Sequence, residues 1–232
     1  MAKGDKIAGI RGMDDLLPPT SQWFTYIEQT AARVFSRYSY QEVRTPIVEP
    51  AGLFERGVGE GSAVVKKQMY KFADPNKAML ALRPEATASV VRAYINANIS
   101  NKETISRYFY AGPMFRYERP QKGRKRQFFQ LGVELLGASQ AVADAEVIAM
   151  TAHFFAELNI SGLDLQLNSI GCKTCRPAFN KKLQEFLQAS ASELCEDCQE
   201  RMERNPLRTF DCKNSSCQHS LQNAPRISQN WC

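Results

Sequence analysis

The sequence predicts an α+β fold, an antiparallel β-sheet flanked by helices, with a small helical appendage at its C-terminal end. Three observations carry that expectation. Residues 114–134 read as two apolar strands joined by a basic tip. Two longer stretches, Thr20–Tyr38 and Ser139–Leu158, read as helices. Past Gly171 the chain turns polar and its cysteines concentrate. A chain of 232 residues can bury a substantial core and suits one large domain with an appendage. The boundary is placed at that change of character, giving 1–171 and 172–232.

In chain order, Trp23, Phe24, Ile27, Ala31, Val34, Phe35 and Tyr38 fall at helical spacing, a stripe that reads as core, and Thr20 or Ser21 can cap the helix. Tyr40–Val48 reads as a strand. Pro46, lacking an N–H, marks it as an edge or an interface. Gly52, Gly57, Gly59 and Gly61, with Glu60 among them, read as a surface turn. GVGEG lacks the lysine and hydroxyl that a phosphate-binding loop places after its last glycine. Met69–Phe72 and Ala78–Leu82 flank Asp74-Pro75-Asn76 as a hairpin. Pro84 suits the first turn of a helix running to about Ile99. His153, beside Phe154 and Phe155, reads as a packing histidine. Leu163, Leu165 and Leu167 alternate as in a half-buried strand over 162–169. Lys181–Gln188 and Ser192–Arg204 read as short polar helices, followed by a poorly ordered tail.

The hairpin carries the chemistry. Arg116, Arg119, Lys122, Arg124, Lys125 and Arg126 crowd its tip, and guanidinium forks match phosphate oxygens two at a time. On the second strand, a period of two sends Phe129, Leu131, Val133 and Leu135 to the core. Phe128, Gln130, Gly132, Glu134 and Leu136 go to the other face. That face sets an amide and a carboxylate about 13–14 Å apart with a glycine between them, a floor for a polar ligand. A solvated loop and a water-facing strand would also explain charge and alternation. The aromatic, amide and acid beside the arginines argue for a ligand. Glu85 and Thr87, at a helix start, have two readings. Glu85 complements the helix dipole, or the pair receives the ammonium of an amino acid.

Cys172-x2-Cys175, nineteen residues, then Cys195-x2-Cys198 has the spacing of a four-thiolate structural zinc site. Cys212, Cys217 and Cys232 are further ligands or spectators. The alternative is a set of free thiols in a reducing cytosol. A formal charge of +6 favours a polyanionic partner without demanding one. No apolar run approaches membrane-spanning length and MAKGDK lacks a signal peptide's apolar core, so the expected location is cytoplasmic, with no membrane partner.

FRYERPQKGRKRQF resembles motif 2 of the class II aminoacyl-tRNA synthetases, and RPQKGRKRQFFQLGVELLG is similar to the histidyl-tRNA synthetase version. IRGMDDLLP (10–18) resembles that family's N-terminal signature and VRTPIVEP (43–50) its motif 1. LRPEAT (82–87) resembles its histidine-site motif, and LNSIG (167–171) and NPLR with DCK (205–213) agree. The resemblance covers nearly the whole chain in order. It implies a class II synthetase-like antiparallel sheet with a helical insertion at the C-terminal end. It implies a histidine–tRNA ligase that joins L-histidine to ATP as histidyl-adenylate and transfers it to tRNA(His). Arg116 would then be catalytic, gripping the α-phosphate. Glu118 would hold the adenine side, Arg124 the outer phosphates, and Phe128 would stack on adenine. Glu85, Thr87, Gln130 and Glu134 would hold histidine, and Mg2+ would bridge the phosphates. Lys122, Arg124 and Lys125 would meet the acceptor end of the tRNA, and motif 1 would build a homodimer. Two positions depart from the family pattern. Tyr117 stands where many members carry histidine, and Phe129 where histidine or tyrosine is common.

The family's second histidine signature, motif 3 and anticodon-binding domain have no counterpart here. The sequence therefore reads as an amino-terminal fragment of the enzyme, expected not to aminoacylate tRNA alone. Two other classes stay open: a catalytically retired paralogue regulating histidine biosynthesis, and a nucleic-acid-binding module without chemistry. The retained Glu85, Arg116, Glu118, Arg124, Gln130 and Glu134 weigh against the first, and Gln130 with Glu134 against the second.

Overall fold

Helix α1 (Thr20–Arg37) buries only the second half of its apolar stripe. Thr30, Ala31, Val34 and Phe35 are inside, whereas Trp23 is 64% exposed and Ile27 38%, so the expectation of a wholly core stripe holds for one half only. The expected side-chain cap is absent as well. Pro19 is the N-cap residue, and the amides of Ser21 and Gln22 donate to the carbonyls of Leu17 and Pro19 at 3.1 Å. This computed structural model describes residues 7–58, 62, 64–169 and 171–227. Gly59, Glu60, Gly61 and Cys232 therefore lie outside the described residues.

The strand expected over Tyr40–Val48 is two short strands in different sheets. β1 (Gln41–Glu42) runs parallel to residues 108–109, and β2 (Val48–Pro50) pairs antiparallel with residues 80–82. Pro46 lies in the gap, where its missing N–H costs no ladder bond. Helix α2 (Ala51–Val58) follows where a glycine-rich surface turn was expected. Its residues Ala51 and Phe54 are buried with Ala81, and that burial outweighs the low helix propensity of Gly52 and Gly57. β3 (Lys71–Ala73) and β4 (Met79–Leu82) form the expected hairpin, and Asp74 Oδ1 accepts the Ala78 amide at 2.8 Å across the turn. Helix α3 (Thr87–Asn96) starts three residues beyond Pro84 and stops short of Ile99.

Two ten-residue strands, β5 (Ser106–Phe115) and β6 (Gln127–Leu136), pair antiparallel along their whole length. The two sheets run β1-β5-β6 and β2-β4-β3. Helix α4 (Ala141–Glu157) covers one face of the first. There Leu131, Val133 and Leu135 pack against Ala31, Val34, Phe35, Phe109, Met150 and Phe154, as the alternation requires. Phe129 keeps this parity, meeting Phe24 edge-on at 4.8 Å, but remains 40% exposed. His153 contacts Tyr38 Oη at 3.3 Å and Glu157 at 3.4 Å, a packing role.

The chain divides into two units between Gly162 and Leu163, earlier than the boundary at 171. The strand expected over 162–169 does not form. Residues 161–169 have no regular structure, and Leu163, Leu165 and Leu167 are 57%, 63% and 73% exposed. Alternation specifies a strand only where a neighbouring strand supplies the ladder, and none does so among the described residues. The second unit contains α5 (Cys175–Ala189), α6 (Glu196–Arg204) and α7 (Ser215–Ser220), linked by 3-10 turns. The expected disordered tail is instead part of its core: Cys212, Cys217, Ala224 and Ile227 pack with Phe179, Leu183, Leu187, Leu194 and Cys198.

Candidate active site

The floor of the site is built by both long strands. Residues directly opposite in an antiparallel pair share a face. The pairs Tyr108–Glu134, Tyr110–Gly132, Gly112–Gln130 and Met114–Phe128 therefore lie on the side away from α4. Gly132 is needed there for space. A Cβ on it would come within 2.4 Å of the Tyr110 ring and phenol, so Tyr110 lies across the strand. Gly112 does the same for Arg83, whose Nη2 would be 2.6 Å from an added Cβ. The buried Arg83 donates through Nε to the Pro113 carbonyl at 3.0 Å and through Nη1 to the Thr45 carbonyl at 2.9 Å. It thereby pins the segment around Pro46 to β5. Burial pulls its pKa down, opposed by Glu49 and Tyr110.

Above the sheet face, Thr87 Oγ1 donates to Glu134 Oε1 at 2.7 Å. Glu85 Oε1 accepts the Ala88 amide at 3.0 Å, which fits the reading that it serves the start of α3. Burial pushes the Glu134 carboxyl above its ordinary range; the Thr87 bond opposes the shift and the charge of Glu85 adds to it. The same burial raises the Tyr110 phenol. Among the described residues neither Glu85 nor Glu134 has an ion-pair partner. Gln130 Oε1 is buried without a hydrogen-bond partner. The arrangement is a half-buried, uncompensated negative site, with the unpartnered Gln130 oxygen further along the same strand, suited to a ligand that is cationic and donates hydrogen bonds. A cavity of about 780 Å3 reaches Glu85 and Thr87 from the side of Leu53, Arg56, Val91 and Ile95.

Next to it, the Arg116 guanidinium lies 5.0 Å from the centre of the Phe128 ring, and its Nε donates to the Pro84 carbonyl at 2.9 Å. Much of the basic tip is already engaged. Arg124 approaches Glu118 at 3.5 Å, Arg126 stacks over Tyr117 at 4.2 Å, and Lys125 pairs with Asp14. The base of the hairpin is strapped by the N-terminal segment: the Gly12 carbonyl accepts the amides of Arg126 at 2.7 Å and Gln127 at 3.0 Å. Gly12 has φ +83° and its missing Cβ leaves room for Arg126 and Pro120.

Six of the eight predicted ligand-site residues thus lie on β6 or in the adjoining hairpin, and Glu85 and Thr87 lie at the start of α3, where Thr87 bonds Glu134. Sequence reasoning missed Tyr110 and Arg83. The signal for Tyr110 was its position opposite Gly132, which needs the strand register. The signal for Arg83 was Gly112.

The predicted cysteine quartet is not the one that assembles. Cys172 and Cys175 lie 3.6 Å apart at the start of α5. The fifteen residues of α5 carry the chain about 22 Å onward before Cys195. There Cys195 and Cys198 meet Cys212 and Cys217 instead, with all four sulfurs within 4.8 Å of one another. Burial and the neighbouring thiols push the Cys198 thiol upward.

This architecture has close counterparts. The fold matches apo S. aureus histidyl-tRNA synthetase with a TM-score of 0.76 and 35% identity, over 98% of this chain and 51% of that one. It is an aminoacyl-tRNA synthetase fold. A sequence profile described as "Histidyl-tRNA synthetase" matches residues 12–191, and the chain belongs to the histidyl-tRNA synthetase family. A histidine–tRNA ligase of Nitratidesulfovibrio vulgaris is 50% identical over 98% of this chain and 55% of its own length. One from Halothermothrix orenii is 47% identical over 96% and 53%. The chain therefore spans about half the length of the curated relatives it matches. A Bacillus halodurans protein, described as an ATP phosphoribosyltransferase regulatory subunit/histidyl-tRNA synthetase, shares the fold at 21% identity and TM-score 0.65.

Proposed function

We propose that this chain is the amino-terminal part of the catalytic domain of a histidine–tRNA ligase. The observation that carries the reading is the pair of acids beside Tyr110, left without a cation where a half-buried carboxylate needs one. The ammonium and imidazole of L-histidine supply the positive charge that Glu85 and Glu134 lack and a donor for the unpartnered Gln130 oxygen, with Thr87 completing the set. ATP, with Mg2+ as part of the substrate, lies along Phe128 and Arg116. The histidine carboxylate attacks the α-phosphorus, the bond to pyrophosphate breaks, and histidyl-adenylate forms. Arg116 meets the charge that builds on the α-phosphate oxygens, so catalysis rests on placement more than on a protein base. For Arg124 to reach the outer phosphates it leaves Glu118, which then turns to the adenine side. The terminal hydroxyl of tRNA(His) attacks the adenylate carbonyl and AMP leaves. Lys122, Arg124 and Lys125 at the tip hold the acceptor end.

The protein works in the cytoplasm as a homodimer through the motif 1 region. Supporting that, the β2-β4-β3 sheet turns Val48, Pro50, Phe72, Leu80 and Leu82 to one face, and Val48 and Phe72 are 40% and 42% exposed. Among the described residues no helix is long and apolar enough to cross a membrane.

Calorimetric titration of the chain with L-histidine tests the reading, with glutamine and lysine as controls. Selective histidine binding that Glu134→Gln removes, while binding of a non-hydrolysable ATP analogue survives, is the expected result. Histidine binding that Glu134→Gln leaves intact would refute the assignment of the pocket.

A further inference from the structure

We propose that Cys195, Cys198, Cys212 and Cys217 bind one zinc ion as four thiolates and that this site holds the second unit together. The inference does not rest on the ligase reading, because none of these residues belongs to that site. Tetrahedral zinc with Zn–S bonds of about 2.3 Å spaces its sulfurs about 3.8 Å apart. The Cys195 and Cys212 sulfurs stand at 3.8 Å, with Cys198 and Cys217 inside the same 4.8 Å cluster. A disulfide would need about 2.05 Å.

The four sulfurs come from three pieces of structure. Cys195 is the N-cap of α6 and Cys198 lies in its first turn; Cys212 ends the 3-10 turn Pro206–Asp211, and Cys217 lies within α7. Backbone amides already point at two of them, Cys195 N–H at Cys217 Sγ (3.2 Å) and Asn214 N–H at Cys212 Sγ (3.4 Å). Such N–H···S bonds offset thiolate charge and fix the orientation of ligands. Thiolates alone, with no carboxylate in the set, select a soft ion such as zinc over magnesium or calcium.

The fold supplies the reason. Helices α6 and α7 have nine and six residues, far below the ~12–15 residues at which an isolated helix becomes even marginal. Three of the four cysteines are at most 7% exposed and sit among Phe179, Leu183, Leu187 and Leu194. A metal at that point ties α6, the 3-10 turn and α7 together, and its binding free energy becomes folding free energy.

Protein purified under reducing conditions without added metal or chelator is analysed for zinc by mass spectrometry. One zinc per chain is expected. Cys172→Ser and Cys175→Ser keep it, whereas Cys212→Ser and Cys217→Ser lose it. Because the latter variants can also fail to fold, the wild-type chain is reconstituted with Co2+. The intense absorption of tetrahedral, four-thiolate cobalt is expected, and stripping the metal should lower the melting temperature reversibly. Metal-free protein with four titratable thiols, two disulfides among these cysteines, or zinc loss that follows Cys172 and Cys175 would each overturn the proposal.

Discussion

Replacing Gly132 with alanine tests the packing that gives the candidate site its shape. The new Cβ would stand 2.4 Å from Tyr110 Cζ and Oη, where carbon contacts settle at about 3.5–4.0 Å. The ring must retreat by roughly 1 Å or more. It has little room, being 6% exposed and packed with Ala86, Val90 and Met114. Overpacking of this kind costs about 1–3 kcal/mol. If the displaced ring disturbs the bond from Thr87 to Glu134, a loss of about 1–1.5 kcal/mol should weaken ligand binding at the candidate site roughly tenfold. Urea unfolding and calorimetry of Gly132→Ala measure both effects, and Tyr110→Ala supplies the control. In that background the clash is gone, so adding alanine at 132 should be neutral or stabilising by up to about 1 kcal/mol, because glycine weakens a strand. Equal losses in both backgrounds would refute the steric account.

Glu134→Gln should stabilise the free chain at neutral pH while it destroys histidine binding. A carboxyl whose folded pKa is raised binds a proton where the unfolded chain has released it, so stability falls as pH rises from its ordinary 4.5 through the folded value. The variant lacks that decline, and melting temperatures across pH would show it; parallel profiles would contradict it. Arg92→Ala leaves Glu49, only 5% exposed, without its 2.6 Å partner. We expect a loss of about 3 kcal/mol in urea unfolding, the low end for a buried pair because Arg92 is partly solvated. Glu49→Gln combined with Arg92→Met should recover most of it. If the proposed tRNA contact is right, Lys122→Ala in the full-length protein should lower tRNA affinity and flatten its logarithmic salt dependence by about 0.7–0.9, the share of one neutralised phosphate. An unchanged slope would remove Lys122 from the interface.

Which side chains share the candidate site's face was more legible in the sequence than strand register, for a physical reason. A period of two over Phe128–Glu134 fixes which side chains share a face whatever the neighbouring strand does. Register, by contrast, depends on the partner, so Tyr110 and Arg83 stayed hidden behind Gly132 and Gly112. The same dependence misled the reading of 162–169, where three leucines alternate as in a strand without a ladder to join. Pro46 marked a break that the strand assignment smoothed over. At α2, burial of Phe54 overrode two glycines. Among the cysteines, spacing was matched without the length of the helix lying between Cys175 and Cys195.

The strap at Gly12 has a consequence for how the tip comes to exist. Its carbonyl closes the base of the hairpin, and nearby Lys125 and Asp14, partners across the same seam, are 111 residues apart in the chain. A segment that leaves the ribosome well before the hairpin is thus late to find its place, waiting until β6 has been made. Contacts so distant in sequence form late and slowly. A fusion partner or tag placed ahead of residue 7 would be tethered beside the basic tip, and would slow its closure without touching Glu85, Thr87, Gln130 or Glu134.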